Sequence, residues 1–308
     1  MASFVTEPLT DPAFLRGLLD VVAVSIVAGV IGTFIVLRGI GFLGDALAHS
    51  IFPGVVTAFL LGANLLIGAL IAGLSTAAVM GLLTANRRVR DNTSIGVIFT
   101  AAFALGVVIL TNHPVNSDEL EGILFGDPLA AQMLDVVLTL VIGGGVLAIV
   151  VALRRLFVMS SFDPTGARAM GLPVVAIDVL LLVLTALTVV IAFKAVGNIL
   201  VISLLLTPAA TARLFTDRLT PTALLASALG ASASVVGLFI GYHFGASAGG
   251  VIVLTSTTMF LSAWVFAPRH GVLWERLALR DHSLLLREPE AEAEVVLASP
   301  EIQAPHSV

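Results

Sequence analysis

The chain has 308 residues, of which 58% are hydrophobic and 11% are charged, and its formal net charge is −5. A soluble domain carries roughly 25% charged residues, so this composition excludes a soluble globular protein and predicts a multi-pass membrane protein. The mean hydropathy of +1.09 agrees with that class. The sequence contains no cysteine, which excludes disulfide bonds, thiolate metal ligands and a cysteine nucleophile.

Apolar segments of about 20 residues follow one another along the chain, and this is the length that an α-helix needs to cross a bilayer. The strands of a membrane barrel would instead alternate with a period of two. The sequence therefore predicts an all-α polytopic membrane protein with about nine transmembrane helices, within a range of eight to ten. The predicted spans are about Leu15–Leu37, Leu43–Leu61, Leu65–Leu83, Ser94–Thr111, Met133–Leu153, Val174–Phe193, Ile199–Phe215, Thr222–Ile240 and Gly249–Phe266.

Loop charges indicate how these spans are oriented. If the turn at Arg38 is cytoplasmic, Arg16 and Lys194 are the two outer residues among the fifteen basic ones. Basic residues concentrate on the cytoplasmic side, so we expect the N-terminus outside and the C-terminus inside. The expected domains are a polar lead at 1–13, a transmembrane permease domain at 14–267 with a cytoplasmic loop at 157–173, and a tail at 268–308 that is largely disordered at its end.

Asp45 and His49 form a polar pair in the second predicted span. Four residues separate them, so on a helix they lie on one face, one turn apart. An ionisable group at membrane depth is costly and indicates a functional site. Carboxylate oxygen and imidazole nitrogen suit zinc and manganese, and the nitrogen ligand slightly favours zinc.

Two ligands are too few for a divalent ion. If two copies of the chain pair around a two-fold axis with this helix facing the axis, the shared site contains two aspartates and two histidines in total. The competing interpretation is structural: Asp45 caps its helix and His49 hydrogen-bonds a neighbour.

The predicted cytoplasmic loop contains a short punctuated helix. Ser161 or Asp163 suits the N-cap, Pro164 suits the first turn, and Gly171 suits the position after the C-terminus. The segment is too short to cross a membrane. A rigid element of this kind is typical of a membrane protein that couples to a soluble motor, and a plain helical connector would show the same pattern.

Together these motifs resemble the permease subunits of the zinc-, manganese- and iron-uptake ABC transporters. The resemblance covers roughly residues 14–267 and departs from the family pattern at Gly245–Leu254, where the usual acidic residue is missing. The matching segments are Gly44–His49 with Pro53 and Gly54, Gly126 within Leu124–Asp127, Ser161–Gly171, and Val196–Arg213.

The resemblance implies a homodimeric importer permease in the bacterial cell membrane. A solute-binding protein would deliver zinc or manganese from outside, the metal being the transported substrate and not a permanent cofactor. A separate ATPase would supply the energy, because this chain lacks the Gly-x-x-x-x-Gly-Lys-Ser/Thr phosphate-binding motif. The residues implied to contact that ATPase are Ser161, Phe162, Asp163, Pro164, Ala167, Arg168 and Gly171.

Further polar residues are candidates for secondary roles. Asn198, Thr207 and Pro208 are candidates for the pathway or a gate, since a proline within a helix removes a backbone hydrogen bond. Asp178, inside a predicted span, suits a hydrogen bond between helices. Candidates for an outer mouth that collects cations are His113, Asp118, Glu119 and Glu121, for which an ordinary solvated acidic loop is the alternative.

Other functions remain open from the residues. An ion-coupled secondary transporter could use Asp45 and His49 as a proton relay, and an ABC permease for an iron–siderophore or cobalamin would share the architecture. An intramembrane metallohydrolase is disfavoured because the sequence has no His-Glu-x-x-His motif.

Overall fold

The computed structural model describes residues 2–84, 91–112, 126–197 and 201–267. Every regular element in these ranges is helical, which confirms the all-α fold class. Besides a 3₁₀ turn at Pro128–Ala130, the helices are α1 (Ala2–Thr10), α2 (Pro12–Arg38), α3 (Gly41–Ser50), α4 (Phe52–Leu60), α5 (Leu65–Thr84), α6 (Asp91–Thr111), α7 (Met133–Ala152), α8 (Arg154–Phe162), α9 (Pro164–Ala169), α10 (Val174–Val196), α11 (Val201–Phe215), α12 (Leu219–Phe244) and α13 (Ala248–Phe266).

Seven helical segments in the described ranges are long and apolar enough to cross a membrane by length and composition. They are α2, α3 joined with α4, α5, α7, α10, α12 and α13. The apolar parts of α6 and α11 are shorter. Helices thus coincide with the predicted spans, but the count of about nine membrane-spanning helices is not confirmed.

Two parts of the chain need separate mention. Within the predicted polar lead, residues 2–10 form helix α1. The candidate outer-mouth residues, the candidate pathway residue Asn198 and the tail lie outside the described residues; these are His113, Asp118, Glu119, Glu121, Asn198 and 268–308.

Helix α2 lies at the centre of the bundle and contacts α7, α10, α11 and α12. Glycine allows the closest of these approaches, as is usual where helices pack in lipid. A Cβ atom on Gly32 would lie 1.9 Å from the carbonyl oxygen of Leu205 in α11, and one on Gly29 would lie 2.6 Å from the amide nitrogen of Ser227 in α12. These backbones are therefore in direct contact.

The end of α2 sets the position of α3. Gly39 follows Arg38 in the left-handed conformation, with φ of 69°. Its amide donates to the Val36 carbonyl, and the next amide donates to the Ile35 carbonyl. This glycine-terminated cap ends the helix and turns the chain directly into the segment that carries Asp45 and His49.

Candidate functional site

Asp45 and His49 lie on α3, just before a break in the second span. The break falls at Ile51, and α4 begins with Phe52 and Pro53. Proline has no amide hydrogen, so Pro53 cannot make the usual helical hydrogen bond to the carbonyl four residues earlier, that of His49. The proline therefore accounts for the interrupted helix next to the polar pair.

The two side chains lie on one face of α3, as their spacing predicts. The Nε2 atom of His49 is 3.3 Å from Oδ1 of Asp45, and 24% of the histidine side chain and 30% of the aspartate side chain are exposed. Both groups are therefore partly accessible. Within the described residues, no group of three or more His, Cys, Asp or Glu could hold a metal ion. The pair alone is thus too small to hold a divalent ion.

The surroundings of the pair are aromatic on one side and tightly packed on the other. The imidazole of His49 lies 5.5 Å from the ring centre of Phe99 and 5.4 Å from that of Phe103, both on α6. On the opposite side of α3, a Cβ atom on Gly44 would lie 2.8 Å from Leu205 of α11. The buried residues of α3 hold the helix in place and leave the face of Asp45 and His49 partly open.

The predicted cytoplasmic helix is present as α9. Asp163 is its N-cap: Oδ1 accepts a hydrogen bond of 2.7 Å from the Gly166 amide. Pro164 is in the first turn, and Gly171 follows the C-terminus with φ of 80°. The structure thus selects Asp163 over Ser161 as the cap, because Ser161 belongs to the preceding helix α8.

Several residues in and around α9 are exposed. Phe162 is 61% exposed and Met170 is 62% exposed. Arg168 is exposed as well, whereas Ala167 is buried and anchors α9 to its neighbours. Exposed apolar side chains beside a cation are typical of a contact surface for another protein.

Thr207 and Pro208 lie within α11, which continues through the proline from Val201 to Phe215. The Thr207 carbonyl accepts a hydrogen bond of 2.7 Å from the Thr211 hydroxyl, and Pro208 is buried. The same helix contacts the start of α3 through Leu205 and Leu206. Thr207 and Pro208 therefore lie within one turn of the contact with α3, and their role as a gate stays a prediction.

The sequence reasoning missed a cluster of ionisable side chains from three helices. Asp20 of α2 is 1% exposed, and its Oδ1 atom has no hydrogen-bond partner among the described residues. Asp135 at the start of α7 pairs with Lys194 near the end of α10. A signal was available, because Asp20 lies inside an apolar span and Lys194 is the one lysine of the sequence.

Comparison with known proteins connects these features to one family. The chain is 41% identical over 272 residues to the manganese transport system membrane protein MntC of Halalkalibacterium halodurans, covering 88% of this chain and 93% of the relative. It is also 41% identical over 268 residues to the manganese import system permease protein ScaB of Streptococcus gordonii, covering 87% and 96%.

A solved structure shares the fold. The structure of PsaBC from Streptococcus pneumoniae in complex with Fab matches with a TM-score of 0.79 and 38% identity, covering 89% of this chain and 99% of that chain. The model of the ABC 3 transport family matches residues 10–267, which include α3 with its polar pair and the capped helix α9. The chain therefore belongs to the ABC 3 transport family, as its motifs predicted, and is a membrane transport component rather than an enzyme.

Proposed function

We propose that this chain is the permease subunit of an ABC importer for a divalent transition metal, with manganese as its main substrate. The observation that carries the proposal is the Asp45–His49 pair, with its 3.3 Å separation and partly exposed side chains on a largely buried helix. An oxygen and a nitrogen ligand held on one helix face fit a first-row divalent ion.

The proposed substrate is manganese and not zinc, which the ligand types slightly favoured. The nitrogen ligand favoured zinc, but relatives that are about two-fifths identical over most of the chain are named for manganese transport. Imidazole and carboxylate ligands serve both ions, and geometry and metal availability decide the selectivity. The ligand types alone therefore could not separate the two metals.

Two copies of the chain complete the proposed site. One copy supplies one carboxylate and one imidazole, and a two-fold partner supplies the same pair. The resulting four protein ligands leave room for the water or further oxygen ligands that manganese accepts. A site shared between two subunits can also open when they move apart, and a pathway must release its ion.

The proposed assembly includes two further components. A cytoplasmic ATPase binds the exposed segment around α9, and an extracytoplasmic solute-binding protein delivers the metal. With α6 and α11 also crossing the membrane, the chain has nine spans in a bacterial cell membrane, with its N-terminus outside. Motion of the ATPase then changes which side of the membrane reaches Asp45 and His49.

The direct test is metal uptake by Asp45→Ala and His49→Ala variants. We expect both to abolish uptake of radiolabelled manganese in a manganese-import-deficient strain while the protein still assembles in the membrane. His243→Ala is the matched control, because His243 lies on α12 and its ring contacts the Phe239 carbonyl of its own helix. Normal uptake by the Asp45 and His49 variants would disprove the site.

The same assay separates the alternative functions. A secondary transporter would import manganese without the ATPase subunit, whereas the proposed importer needs it. A permease for iron–siderophore or cobalamin would import those compounds and not the bare ion.

A further inference from the structure

Arg38, the last residue of α2, binds side chains of the helices that precede and follow the cytoplasmic helix α9 in the sequence. Its Nε atom donates to the Ser161 hydroxyl at 2.8 Å, and its Nη2 atom donates to the Ser160 hydroxyl at 2.7 Å. Its Nη1 atom donates to Oδ1 of Asp178 at 2.5 Å. All three nitrogen atoms of the guanidinium group are thus in use.

The three acceptors flank α9 in the sequence. Ser160 and Ser161 are at the end of α8, immediately before the Asp163 cap, and Asp178 is in the first turns of α10, after α9. One side chain therefore holds the segment before α9 and the segment after it. A lysine could not do the same, because its ammonium is a single point, whereas guanidinium is a planar fork.

The Arg38 side of the contact is largely buried and is reinforced from within the bundle, whereas the Asp178 side chain is 41% exposed. The Arg38 side chain is 11% exposed. One turn earlier on α2, the ring of Phe34 lies 5.7 Å from that of Phe157 on α8, and both rings are buried. The cytoplasmic end of α2 and the helix leading to α9 are therefore packed together over two turns.

The same residue adjoins the candidate metal site along the chain. After Arg38, the Gly39 cap leads into α3 at Gly41, and Asp45 lies on that helix. We propose that Arg38 is a positioning residue that transmits movement of α9 to α3, so that the motor changes the position of Asp45 and His49. This inference rests on the proposed function and adds the residue through which coupling passes.

The test uses the permease reconstituted in liposomes with its ATPase subunit and solute-binding protein. Arg38→Gln removes the charge and the fork, and Arg38→Lys keeps the charge alone. The matched control is Arg16→Gln, because Arg16 is on the same helix and its Nε donates to the Pro12 carbonyl within that helix. Manganese imported per ATP hydrolysed is measured for each variant.

We expect Arg38→Gln to hydrolyse ATP near the wild-type rate and to import about tenfold less manganese per ATP, a usual size for coupling between two sites. Arg38→Lys should fall between it and the wild type, and Arg16→Gln should equal the wild type. Equal import per ATP in Arg38→Gln and Arg16→Gln would overturn the inference. So would a proportional loss of ATP hydrolysis and import, which indicates a purely structural role.

A second measurement follows the motion itself. Because the sequence has no cysteine, a single cysteine can report on α3 when placed at Phe42, which is 45% exposed. A second reporter at Met170 reports on the end of α9. In the wild-type background, we expect ATP to change the thiol-labelling rate at both positions. In the Arg38→Gln background, we expect ATP to change the labelling rate at Met170 and to leave the rate at Phe42 unchanged.

These readouts separate the two proposals. The proposed function is contradicted if the wild-type complex shows no ATP-driven import and ATP changes the thiol-labelling rate at neither reporter. A coupled wild type whose Arg38→Gln variant behaves identically contradicts the role of Arg38 alone. If Arg38→Gln does not assemble, the Ser160→Ala and Asp178→Asn double variant, which leaves the Ser161 side chain unchanged and removes two of the three Arg38 contacts, gives the same readouts and decides.

Discussion

Lys194 is the one lysine of the sequence, and its ammonium group pairs with Oδ1 of Asp135. The other carboxylate oxygen of Asp135, Oδ2, accepts a hydrogen bond of 2.9 Å from the backbone amide of Gln132. The Asp135 side chain is 6% exposed, whereas that of Lys194 is 38% exposed. The aspartate therefore depends on the lysine for charge compensation, while the lysine could be hydrated without the aspartate.

We expect Lys194→Gln to destabilise the protein. Removing one partner of a buried ion pair costs about 3–5 kcal/mol, because a buried charge is left uncompensated. The partial exposure of Lys194 places the expected loss at the lower end of that range. The measurement is the thermal unfolding midpoint in detergent, with Lys194→Arg as the control that keeps the charge. Equal midpoints for Lys194→Gln and the wild type would show that the pair adds nothing to stability.

Asp45 and His49 show how far single residues could be interpreted from the sequence. Their spacing of four predicted a shared helix face, and the 3.3 Å contact agrees. Their apolar surroundings predicted a functional role, which uptake by the variants has still to test. The aromatic wall of Phe99 and Phe103 was not predictable, because those residues are some fifty positions away in the chain and helix packing brings them there.

At the scale of elements, glycines decide which helices touch. Gly32 brings α2 against α11, and Gly143 brings α7 against Val27 of α2, where a Cβ atom would lie 2.8 Å from the valine side chain. At its neighbour Gly144, a Cβ atom would have no atom of another described helix within 4 Å. Adjacent glycines on one helix therefore differ in structural role. The neighbouring helix shows which of the two is needed for close packing.

We expect Gly32→Ala to destabilise the protein and Gly144→Ala to leave it unchanged or stabilise it. The new methyl group at Gly32 would lie 1.9 Å from a backbone oxygen, so α2 and α11 must separate, at a cost of about 1–3 kcal/mol for overpacking. At Gly144 the methyl group meets open space, and alanine is the better helix former by about 1 kcal/mol. Thermal unfolding midpoints of the two purified variants test this, and the same midpoint for both would refute it.

The helix α9 is an element with strong local signals. Ser161 or Asp163, together with Pro164 and Gly171, predicted its start and end, and the Asp163 hydrogen bond to Gly166 decides between the two possible caps. Gly166 itself was not noticed, although a Cβ atom there would lie 2.1 Å from the Asp163 carboxylate. The cap thus depends on a small residue inside the first turn as well as on the capping side chain.

At the scale of the whole molecule, the proposed metal site is half complete in one chain. The described part of the chain brings no third His, Asp, Glu or Cys to the Asp45–His49 pair. Its partly exposed face leaves room for a second copy. The proposed function therefore needs the dimer for ligand number as well as for a pathway.

A linked dimer tests this arrangement. Two copies are joined in one polypeptide through an added membrane-spanning linker helix, which returns the chain to the outer side so that both copies keep the same orientation. With Asp45→Ala and His49→Ala in one half alone, this dimer retains one aspartate and one histidine at the shared site. We expect manganese uptake to fall almost to that of the dimer mutated in both halves, because two protein ligands hold a divalent ion poorly. Retention of half the wild-type uptake would instead mean that each copy transports independently.

The sequence by itself determined the class, the helix positions, the capped helix α9 and the family, because each rests on a local pattern: an apolar length, a spacing of four, or a capping residue. The tertiary structure decided which of these elements act together. Arg38 and Asp178 are 140 residues apart, yet their side chains are in contact, and no local pattern could pair them among the other charges. Partners across the bundle depend on how whole helices pack, and that packing is set by many small contacts at once, such as those of Gly32 and Phe34.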